Sequence, residues 1–138
     1  MSTDLLDITR NVDSKFIFEY NGNEPKNYNI IRFFIIAETV ESFDWNILKK
    51  CLYLETIIFK NSKNIQSIEL KDYPILNTVI FIGNLNLNSL SSLNFNECPK
   101  LTTLAFTSCE TYPNLQQIPS SIKTLAFTRC KTYPNLQQ

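Results

Sequence analysis

The chain has 138 residues, about one domain's worth. Its 13 Lys+Arg balance its 13 Asp+Glu, and this zero net charge argues against a basic nucleic-acid binder or a polybasic membrane anchor. Hydrophobic residues make up 43%, enough for a packed core, while His is absent and Gly occurs only at Gly22 and Gly83. That removes Ser-His-Asp and Cys-His catalysis, most zinc sites and glycine-rich phosphate loops.

From the start, MSTDLLDITRNVDSKF has no basic stretch leading into an apolar run, so no secretory signal is read there. Leu5, Leu6 and Ile8 suit a short helix or an irregular cap. Phe16, Phe18 and Tyr20 alternate like a capping strand, and Asn21-Gly22-Asn23-Glu24-Pro25 is a turn. Residues 1–29 therefore read as an N-terminal capping segment and 30–138 as a repeat region. The longest apolar stretch, around Phe33–Ala37, is far too short to cross a bilayer, so no membrane segment is expected.

Beyond residue 29 one unit recurs: an apolar residue, two free positions, an apolar residue, one free position, an apolar residue. A main set reads Ile30-Phe33-Ile35, Leu54-Ile57-Phe59, Leu76-Val79-Phe81, Leu101-Leu104-Phe106 and Ile122-Leu125-Phe127. A second set falls between them at Val40-Phe43-Trp45, Ile65-Ile68-Leu70 and Leu90-Leu93-Phe95. Alternation within so short a run predicts strands, two per coil. Asp44–Leu52 fits either a short helix with Asp44 as N-cap or a plain loop. TLAFTSCETYPNLQQ at 103–117 returns as TLAFTRCKTYPNLQQ at 124–138 with two differences, the mark of a recent tandem duplication.

The runs LSSLNFNEC, LTTLAFTSC and IKTLAFTRC resemble the leucine-rich repeat signature, in which LxxLxL is followed by N or C. The resemblance covers about residues 30–138. Over about 101–138, IPSSIKTLAF and TYPNLQQ look more specifically FNIP-like, although Phe106-Thr107 and Phe127-Thr128 stand where that pattern has Phe-Gly. The expected fold is mainly β: a leucine-rich-repeat solenoid of about five coils with parallel strands, an irregular N-terminal cap and an uncapped C-terminal end. The four cysteines, Cys51, Cys98, Cys109 and Cys130, show no metal-ligand spacing and read as free buried thiols of a cytoplasmic protein, with disulfides as the alternative.

In this frame the main strands point Phe34, Ile58, Ile80, Ala105 and Ala126 outward, followed by Ile36, Lys60, Ile82, Thr107 and Thr128. A column Thr56, Thr78, Thr103 and Thr124 runs beside them. Phe34, Ile36, Ile58, Lys60, Ile80 and Ile82 are thus the candidate partner-binding residues, because contiguous exposed apolar surface marks interaction sites. Cover by the N-terminal segment, or a slip of one residue in phase, are the other readings of this pattern. The expected function is a non-catalytic protein-interaction module without cofactor or metal, with a protein partner of unknown identity and neither nucleic acid nor membrane. Partners of leucine-rich repeats often sit on the main strand face, which is what the resemblance implies. The alternative is a structural solenoid that self-associates through its C-terminal edge.

Overall fold

The computed structural model describes residues 10–41, 43–63, 70, 73–83, 98–108 and 121–129. It is mainly β. Six strands form one parallel sheet in sequential order: β1 (Ile17–Tyr20), β2 (Phe33–Ile36), β3 (Thr56–Lys60), β4 (Thr78–Ile82), β5 (Thr103–Thr107) and β6 (Thr124–Thr128). Neighbouring parallel strands need a crossover connection, and six such strands paired in sequential order make a solenoid-like sheet.

Register follows the repeat unit. Ile57 pairs with Val79, Val79 with Leu104 and Leu104 with Leu125. One position pair further on, Phe59, Phe81, Phe106 and Phe127 align, and their rings stack at 5.0, 5.1 and 5.3 Å between centroids. With Leu54, Leu76 and Leu101 these side chains fill the main core. The segment before residue 30 joins the sheet through β1. Phe18 and Tyr20 turn into the main core, where both rings pack on Phe34 and Tyr20 also meets Phe43 edge-on.

The coil of β2 runs in a different frame from the one expected. Its core residues are Ile31, Phe34 and Ile36, not Ile30, Phe33 and Ile35. Phe33-Phe34-Ile35-Ile36 is apolar throughout, so either phase satisfies the pattern, and a slip of one residue exchanges the faces. Pairing decides: Phe34 lies opposite Ile57 and Phe18, and Ile36 opposite Phe59 and Tyr20. Phe34 and Ile36 are consequently in the core and not on the outer face.

Among the described residues no strand of the second set occurs. Val40 is buried without being in a strand, and Trp45 leads into a one-turn helix, α1 (Asn46–Lys49). Asp44 supports that turn: its side chain accepts the Asn46 N–H at 3.0 Å and its carbonyl accepts the Ile47 N–H. Most of the other two segments, together with Cys109 and Cys130, lie outside the described residues. Cys51 and Cys98 are both buried, with no disulfide between them, and their thiols donate to the carbonyls of Ile47 and Leu70.

Two backbone ladders fasten the coils. Before the strands, the carbonyls of Arg32, Glu55, Asn77 and Thr102 each accept two N–H groups from the next coil. After the strands, Asn61, Gly83, Ser108 and Arg129 all adopt positive φ, between 52° and 81°. The N–H groups of Asn61, Gly83 and Ser108 donate to Ile82, Thr107 and Thr128 of the following coil.

Candidate functional site

The outer strand face is where the sequence placed a partner. Ile58 and Ile80 do lie there, with Ile35 in the place expected for Phe34. These three isoleucines form a second apolar cluster, against which Ile17, Ile82 and Ala105 pack. Ile58 has no exposed surface, and Ile35 and Ile80 retain 3% and 7%. The middle of this face is therefore interior. Lys60 and Ile82, paired side by side at its far margin, are half-buried. The structure thus brings Ile58, Lys60, Ile80 and Ile82 onto one face and removes Phe34 and Ile36 to the other. The threonine column is in register as read, although its member Thr56 is buried.

Accessible apolar surface collects instead where the chain turns into the strands. Ile30, Tyr53 and Ile75 are 41%, 55% and 40% exposed. Each immediately precedes the first core residue of its coil (Ile31, Leu54 or Leu76), so the repeat stacks them in a row. With Phe16, Asn29, Arg32 and Glu55 they line an open cleft of about 400 Å³. Its first wall is held by a one-turn helix, Tyr28–Ile30, whose preceding Asn27 accepts the Asn29 N–H at 3.0 Å.

A polar rim crosses this apolar floor. Arg32 donates from Nε to Glu55 Oε2 at 2.5 Å, one coil away. The hydrogen bond and the charge of Glu55 raise the Arg32 pKa further, so the guanidinium stays charged. It also lies over the Phe16 ring at 5.2 Å, which gives the rim cation–π character. Beside the cleft, Tyr28 donates its hydroxyl to Glu24, and this bond chiefly pushes the tyrosine pKa up to about 12. The phenol and the charged guanidinium are groups that bind and orient a ligand.

The repeat pattern put Ile30 in the core. The signal for the cleft was nevertheless present. In two coils, at Tyr53 and Ile75, an apolar residue stands directly before the first core position, where the repeat requires none, and Ile30 joins them once pairing sets the frame of β2. No protein-family model matches this chain, and neither does any curated protein or any solved structure.

Proposed function

We propose that the chain is a non-catalytic protein-interaction module, related in design to leucine-rich repeats, whose partner contacts the strand-start cleft. The observation that carries this is the row Ile30, Tyr53 and Ile75: large apolar side chains left open to water at the same position of three successive coils, around one cleft. Apolar floors with an aromatic anchor and an arginine at the rim have the composition of interface hot spots. The strand face becomes the lesser candidate, because its central isoleucines Ile35, Ile58 and Ile80 are buried, and of the residues expected to bind there only Lys60 and Ile82 are half-buried.

Affinity capture followed by titration of the purified partner tests the proposal. Ile75→Asp weakens that partner's binding about tenfold or more, as expected for a central apolar contact, while Lys60→Ala changes it little. Equal binding by wild type and Ile75→Asp, with both folded by circular dichroism, removes the cleft from the interface.

A second reading, association between copies through the β6 end, is favoured by one observation. Ile122 and Leu125 are half-buried, whereas their counterparts Leu101 and Leu104 are buried. Sedimentation velocity over a wide concentration range decides it, since a constant monomer mass leaves this reading without support.

A further inference from the structure

The row that floors the cleft continues past it. The position of Ile30, Tyr53 and Ile75 is occupied in the next coil by Lys100, and the rim column Arg32, Glu55, Asn77, Thr102 ends at Lys123. Both lysines are exposed, and neither forms an ion pair among the described residues. The strand-start side is thus apolar at the β1 end and basic at the β6 end.

The spacing of this row selects a shape. Coils repeat at 5.0–5.3 Å, measured between the stacked phenylalanine rings. An α-helix presenting side chains at i, i+4 and i+7 advances about 5.2 Å per member of that stripe. An extended strand presents same-side residues every ~6.7 Å and falls out of step within a few coils. We infer that the strand-start side docks an amphipathic α-helix of a partner protein, laid across the coils, with its apolar stripe on Ile30, Tyr53 and Ile75 and acidic residues on Lys100 and Lys123. This rests on the interaction reading above and specifies its partner.

Charge also sets the direction of the helix. Acidic side chains are best accommodated in a helix's first turn, so its N-terminus lies over the two lysines. Its C-terminal carbonyls then approach Arg32 and Lys15, the two cations held over the Phe16 ring at 5.2 and 5.0 Å. In this orientation the C-terminal end of the dipole meets cations, and the acidic first turn offsets the repulsion between the N-terminal end and the two lysines, whereas in the reverse orientation the acidic residues would stand in the last turn against the dipole.

The probe is a fluorescein-labelled, alanine-based helical peptide of about 18 residues. It carries leucines along one i, i+4, i+7 stripe and two glutamates in its first turn. Anisotropy with the intact chain at low ionic strength shows saturable binding. Affinity falls about tenfold or more with Tyr53→Asp. A comparable fall with the double variant Lys100→Glu/Lys123→Glu is restored when the peptide's glutamates become lysines. A peptide with proline at its centre does not bind.

Absence of binding by the helical peptide overturns the inference. So does equal binding by the proline peptide, or binding unaffected by both variants. A captured partner that is lost with Ile75→Asp but engages as an extended segment overturns the helix while leaving the interaction reading standing.

Discussion

At the residue scale, the columns of the solenoid expose what each side chain is asked to do. Gly83 sits at φ +81°, and a Cβ there would lie 1.8 Å from Asn61 Oδ1 of the preceding coil. The left-handed region alone costs an L-residue about 1–2 kcal/mol. Gly83→Ala should therefore lower stability by about this much in urea unfolding and displace the Asn61 side chain, whereas Arg129→Gly, at φ +58°, should be neutral or stabilising by up to about 1 kcal/mol. A smaller loss at Gly83 than at an ordinary exposed loop position would argue against the clash. Cys51 makes a second residue-scale case. Burial pushes its thiol from an ordinary 9.0 up to about 11. The unfolded chain gives up that proton first, so this thiol's contribution to stability is complete below pH 9 and is lost as pH rises from 9 towards 11. Cys51→Ala should flatten the decline of stability across that window, and an unchanged pH profile would contradict the assignment.

At the scale of elements, the aromatic column ties four strands together. Phe59, Phe81, Phe106 and Phe127 lie nearly parallel, with interplanar angles of 10°, 13° and 7°. Phe81 has a ring on each side and no exposed surface. Its replacement by Ala should cost about 3–5 kcal/mol, and by Leu noticeably less, because Leu refills most of the volume. Guanidinium unfolding of the two variants checks the order. The same element-scale logic explains the frame of β2. Four apolar residues in a row carry no period of two, so neighbouring strands had to select the face, and Phe18 and Phe59 selected the one that keeps the aromatic side chains together.

At the scale of the whole molecule, a stack of coils holds its ends less firmly than its middle, since each coil is buttressed only by its neighbours. β3 is buried at four of five residues, whereas β6 has none. Native-state hydrogen exchange should accordingly show β6 amides exchanging fastest among β3 to β6, at a lower opening free energy than β3 and β4. Uniform protection across the sheet would mean that the terminal coil is secured as well as the central ones.

Much of this architecture was legible in the amino-acid order. Strand positions in four coils follow from an apolar spacing that only a parallel stack satisfies repeatedly, and the duplicated TLAFT segments declared their own alignment. Local pattern could not assign Phe34 and Ile36 to a face, because an unbroken apolar run permits both phases and only cross-strand pairing distinguishes them. Nor could it reveal which apolar residues remain open to solvent. Ile58 and Ile75 are chemically the same side chain, yet one is enclosed and the other 40% exposed. Exposure is set by what packs on top, a property of the assembled coils and not of any one of them.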